Sequence, residues 1–206
     1  MAKSLRPRSE PVQSRAKKQR EKILSATSEL LKTVGLDDLT TILVAKRVGV
    51  SVGTLYHYFP NKHAILFALS ELWVEQIKLA IADIESEKID EMQLKPFVNL
   101  FINRFAEVYK ENYTLLPLIA VMGSTPELEA INSNYIDHVH SKLSAIVKAL
   151  PLCLSDEDAR HIAVLSWQLC DSLLFAIYCD RLNEDKSLGD LKYLMMSLLE
   201  RARNNF

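Results

Sequence analysis

An all-helical chain is predicted by three observations. Only five glycines occur in 206 residues, strand-like alternation is nearly absent, and long segments repeat apolar residues at three- and four-residue spacing. A hydrophobic share of 49% suffices for one or two cores at this length. The pattern divides the chain into a small N-terminal helical head and a larger C-terminal helical body.

Residues 1–14 carry Pro7, Pro11 and several basic and polar side chains, and are expected to form a flexible basic arm. A first helix is predicted from about Arg15 to Thr33, with Ile23, Ala26, Leu30, Leu31 and Val34 on its inner side and Gly35 ending it. Thr40 or Thr41 can cap a short helix over 41–48, because a hydroxyl satisfies a free backbone N–H there. Gly49 stands where that helix must stop and the backbone needs a positive φ. Ser51 caps a second short helix over 52–58, with Leu55 as its buried anchor, and Pro60 cannot extend it. Asn61 then caps a long helix from Lys62 to about Glu85. Its apolar band is wide enough to serve both modules, so it is expected to join a head at 15–62 to a body at 63–206.

Glu85–Gln93 reads as a linker, and further helices are predicted at about 95–111, 113–122, 127–149, 156–181 and 188–203. Ser155 followed by Asp156, Glu157 and Asp158 is a strong start signal, with Ser187 to Asp190 a weaker one. Residues 162–179 are apolar on nearly all sides, and Leu188, Leu191, Leu194, Met195, Leu198 and Leu199 follow in a near coiled-coil rhythm. An intramolecular core, or the same two helices of a second copy, would cover them.

Charge sharpens the division. Residues 1–62 hold 12 Lys/Arg against 5 Asp/Glu, a balance of +7, and residues 63–206 hold 13 against 21, a balance of −8. Positive potential gathered at one end suits phosphate neutralisation, although a solvated basic tail would give the same count. No apolar run is read as approaching the roughly 20 residues of a membrane span. Cys153, Cys170 and Cys179 lack metal-ligand spacing and fit reduced thiols in a cytoplasm. His138 and His140 are two apart and His161 is isolated, so no metal site is expected. There is no Gly-rich phosphate loop and no nucleophile elbow, so neither catalysis nor a cofactor is expected.

Two short helices around a tight turn are what a major-groove reader requires. The run Leu39-Thr40-Thr41, Ala45, Val48-Gly49-Val50-Ser51 and Gly53-Thr54-Leu55-Tyr56-His57-Tyr58-Phe59-Pro60-Asn61-Lys62 resembles the signature of the tetracycline-repressor (TetR) family of bacterial transcriptional regulators. It covers about 45 to 50 residues with the first helix and Ala64–Leu69 included. Beyond it the resemblance is architectural. The resemblance implies DNA contacts by Thr41, Val52, Gly53, Thr54, Tyr56, His57, Tyr58 and Lys62. It also implies a homodimer formed through 156–181 and 188–203, a pseudo-palindromic operator, and a small-molecule effector held in the body. Ile42 and Val52 depart from the family's frequent charged or amide side chains, which shifts specificity towards apolar contacts, DNA shape or the arm.

Candidate effector residues are aromatic and polar groups set in apolar surroundings: Phe101, Arg104, Phe105, Tyr109, Met122, Trp167, Gln168 and Asp171. An unpaired charge on an apolar helix face is costly. Arg104 and Asp171 therefore either pair, hold a ligand, or face solvent or the dimer partner. The functional expectation is a ligand-responsive regulator, most often a repressor in that family. The alternative is a constitutive architectural or partner-recruiting DNA binder without an effector.

Overall fold

The computed structural model describes residues 10–204. Among them there is no strand. Helices run at α1 (Glu10–Val34), α2 (Thr41–Val48), α3 (Val52–Tyr58), α4 (Lys62–Glu85), α5 (Leu94–Glu111), α6 (Leu116–Met122), α7 (Glu129–Ala149), α8 (Asp156–Ala176) and α9 (Glu184–Arg203). The described chain falls into two compact units that divide inside α4, after Leu69.

In the N-terminal unit, α1 begins at Glu10, inside the segment expected as an arm; residues 1–9 lie outside the described residues. Its Ile23, Leu24, Leu30 and Leu31 are buried, and they share a core with Leu39, Val44, Ala45, Leu55 and Phe59. Gly35 ends it at φ 75°, in the left-handed region where a side chain is strained. Arg20 covers this core from outside, its guanidinium 5.5 Å from the centre of the Phe59 ring.

In the C-terminal unit, α8 packs on α5, α7 and α9. A 3-10 turn at Ile89–Glu91 breaks the expected linker, and Ile89 is buried. The start of α9 lies ahead of the predicted 188. Asn183 is its cap, accepting a bond from the Lys186 N–H at 3.0 Å, while Ser187 lies within the helix. Ser155 caps α8 as expected, accepting from the Asp158 N–H at 3.0 Å. Asp156–Cys179 is, by length and composition, apolar enough to cross a membrane, which the sequence reading overlooked because its charged first turn interrupts the run. Here it is a packed helix with a partly uncovered flank, Leu165 being exposed. After Ala176 the ladder widens into a π-turn at Ile177–Arg181.

Candidate nucleic-acid interface

The head's geometry is written by its caps. Thr40 takes extended backbone and its hydroxyl accepts the Leu43 N–H at 3.2 Å, opening α2. Gly49 closes it at φ 77°, and the Gly49 and Val50 N–H groups each donate to the Ala45 carbonyl at 3.0 Å. Two residues later Ser51 caps α3, accepting the Thr54 N–H at 3.0 Å and sharing a 2.8 Å bond with the Thr54 hydroxyl. Leu55 is fully buried beneath α3, and replacing it with alanine would cost about 2–5 kcal/mol. Phe59 leaves the helix in extended backbone and is buried, so the side chains on the opposite face are held outward.

That outer face consists of Gly53, Thr54, Tyr56 and His57, all exposed, with Val52 and Tyr58 half-buried at its margins. Tyr56 is fixed rather than loose: its hydroxyl lies 3.2 Å from the Thr41 hydroxyl, tying α3 to the first residue of α2. His57 and Tyr58 meet edge to face at 5.5 Å. Gly53 has no internal reason to be glycine. A Cβ built there would meet nothing nearer than the Ser51 hydroxyl at 3.8 Å, an ordinary contact.

Lys62 opens α4, where Asn61 accepts the Ala64 N–H at 2.9 Å. Its ammonium donates to the Leu36 carbonyl at 3.2 Å, so it also ties α4 to the segment after α1. One residue singled out from sequence proves more exposed than expected, and one feature was missed. Ile42 is 66% exposed beside Thr41, an apolar surface that a buried role would not leave uncovered. Arg47 joins Lys18 and Lys22 around an open groove of about 590 Å³ between α1 and α2, with Glu21 and Glu29 on its wall. The basic cluster Arg15, Lys17, Lys18, Arg20 and Lys22 marks the α1 side of this groove in the sequence, and the pair Lys46–Arg47 in the last turn of α2 marks the other.

The candidate effector residues separate into two groups. Phe101, Phe105, Tyr109, Met122 and Trp167 are buried in the body, and an edge-to-face series runs from Phe101 to Phe105 at 4.9 Å and on to Trp167 at 5.2 Å. Arg104 stands outside this group, pairing with Glu107 at 3.1 Å and Asp83 at 3.7 Å with its side chain 43% exposed. Gln168 is exposed. Asp171 instead accepts a hydrogen bond from the Tyr109 hydroxyl. Burial raises the Asp171 carboxyl above its ordinary range, and the Tyr109 bond opposes that shift. Burial first, and the Asp171 charge second, push the Tyr109 and Tyr135 phenols well up.

A capped helix pair with a rigid outer face of Gly, Thr, Tyr and His, on a basic unit, defines a helix-turn-helix DNA-binding protein. Residues 23–69 match the family described as bacterial regulatory proteins, tetR family. The chain belongs to the TetR family of transcriptional regulators. It is 27% identical over 158 residues to the nucleoid occlusion factor SlmA of Marinomonas sp. (strain MWYL1), spanning 77% of this chain and 78% of that protein. It is 47% identical over 55 residues to the tetracycline repressor protein class C of Escherichia coli, covering 27% of this chain and 25% of that one. In fold it resembles a putative TetR-family regulator from Syntrophomonas wolfei, with TM-score 0.71, 20% identity and coverage of 89% and 95%.

Proposed function

We propose that the chain is a homodimeric repressor that leaves its operator when a small molecule enters the body. The outward face of α3 would read base edges in the major groove, with Thr54 and Tyr56 serving phosphate and thymine contacts and Gly53 allowing close backbone approach. Thr41, Val52, His57, Tyr58 and Lys62 would complete the footprint. Two copies would pair through α8, the π-turn and α9, where Leu165, Tyr193 and Leu194 are exposed in a single chain. Their two recognition helices would then meet half-sites about 34–36 Å apart on a pseudo-palindrome. A change of a few Å in that separation breaks the match, which is how an effector would act.

The observation that carries this reading is the rigid α3 face, whose exposed side chains are fixed by the buried Leu55 and by the Thr41–Tyr56 bond. The test is a mobility shift of the purified protein on fragments of its own promoter, alongside its solution mass. Binding as a dimer that weakens steeply with salt is expected. A monomer, or no shift at low ionic strength, would refute it.

A second reading is favoured by the SlmA likeness, because it extends well past the head. On that reading the chain binds DNA constitutively and recruits a partner, and no metabolite alters its affinity. The two separate on whether any small molecule bound by the body releases DNA.

A further inference from the structure

Inside the body, one cluster is polar where a helical core is normally apolar. The Asp171 carboxylate is half-buried on α8, and among the described residues its hydrogen-bond partner is the neutral Tyr109 hydroxyl. The groups that perturb it include no Lys, Arg or His. The nearest cation candidate from sequence, Arg104, pairs with Asp83 and Glu107 instead. Around this carboxylate stand aromatic rings from three further helices. Trp73 of α4 meets Tyr109 of α5 edge to face at 4.9 Å, and Tyr135 of α7 lies 6.2 Å from Trp167 of α8. Tyr135 is close enough to feel the Asp171 charge.

Beside the carboxylate, hydrogen-bonding capacity is incompletely used. The Ser166 hydroxyl, one turn before Cys170, is buried without a partner, and the buried Tyr135 hydroxyl and Trp73 indole N–H have only each other, short of good hydrogen-bond geometry. Burying such groups without good partners destabilises a fold. A core selected only for stability would place phenylalanine at 135 and asparagine or leucine at 171. A negative charge with no counter-ion among the described residues, aromatic faces that attract positive charge, and unfilled hydrogen-bonding capacity call for one kind of occupant. We infer that the body takes a small organic cation, an ammonium-bearing molecule held by Asp171 and walled by Trp73, Tyr109, Tyr135 and Trp167. This inference rests on the reading of the body as a ligand-binding unit.

Trp73 and Trp167 are the chain's two tryptophans, so selectively excited tryptophan fluorescence reports on this cluster alone. The test titrates the full-length protein with three probes of one shape and different charge: hexylammonium chloride, 1-hexanol and sodium hexanoate. Hexylammonium should change the fluorescence saturably at about tenfold lower concentration than hexanol, and hexanoate should fail. Asp171→Asn should bring hexylammonium down to the level of hexanol. Tyr135→Phe, which keeps the ring, should weaken it several-fold while the melting temperature holds or rises. Equal binding of hexanol or hexanoate, indifference of Asp171→Asn, or no binding of hexylammonium would each overturn the assignment.

A parallel mobility shift separates this inference from the reading it rests on. If hexanol or hexanoate binds and releases DNA, ligand response stands and the cation falls. If hexylammonium binds through Asp171 and DNA stays bound, the cation stands and ligand-driven release falls.

Discussion

The two units treat polar groups in opposite ways. The head turns most of them outward, satisfies the buried Thr27 and Ser28 hydroxyls with carbonyls of the preceding turn, and caps α2, α3 and α4 with Thr40, Ser51 and Asn61. The body turns a carboxylate, two phenols and an indole inward and leaves some of their hydrogen-bonding atoms unmatched. The head is therefore built to present a surface and the body to hold an interior. On the proposed function, stability and recognition coincide in the first and oppose each other in the second.

Substitutions can break this contrast, beginning with the most severe. Leu55→Ala should destabilise the head by about 2–5 kcal/mol and abolish DNA binding, read by thermal melting and mobility shift. Retention of both would mean that α3 is not held by its buried side. Gly53→Ala should have opposite signs in two assays. A methyl there meets no neighbour closer than 3.8 Å, and alanine in a helix gains about 0.5–1 kcal/mol, so the melting temperature should hold or rise. DNA affinity should fall by about tenfold, since the methyl would stand between backbone and duplex. A parallel loss of stability would make Gly53 structural instead.

Lys62→Ala is a finer probe, because the ammonium already donates to the Leu36 carbonyl. If it also neutralises a phosphate, the slope of log affinity against log salt should shrink by about 0.9. An unchanged slope with lowered stability would confine it to its bond with Leu36. The smallest effect sharpens the contrast from the body's side. The Asp171 carboxyl is raised by burial, so the folded state binds its proton more tightly than the unfolded chain does. That stabilisation is present below the ordinary carboxylate pKa and is lost as pH rises through the raised value. Asp171→Asn should therefore melt about 2 °C higher at pH 7, with the gain vanishing in acid. A lower melting temperature at pH 7 would show that the carboxylate stabilises the fold and is not held there at its expense.

Legibility from sequence follows the same line. The bounds of α2, α3 and α4 coincide with those predicted, because Thr40, Gly49, Ser51, Pro60 and Asn61 mark each end with a local chemical rule. The start of α9 was misplaced because two capping signals, Asn183 and Ser187, lie one turn apart and local chemistry does not rank them. Arg104 and Asp171 looked alike on paper, each a charge on an apolar helix. Only packing shows one meeting surface acids and the other a buried phenol. Tyr135 escaped notice because Tyr135, Val139 and Leu143 read as an ordinary inner face, and nothing in that spacing reveals whether a hydroxyl has a partner. Ile42 was legible as an oddity, though its 66% exposure was not.

The π-turn at Ile177–Arg181 has a consequence of its own. Such a turn is how a helix accommodates one residue too many, by bulging locally instead of rotating everything downstream. Deleting a single residue within it should restore the ordinary ladder while drawing the chain about 1.5 Å back towards α8. The Tyr178–Glu184–Lys110 bonds span this stretch, joining it to α9 and α5, and would have to re-form in the shortened chain. Length variation ought to be tolerated there more readily than at any other point along the α8–α9 hairpin.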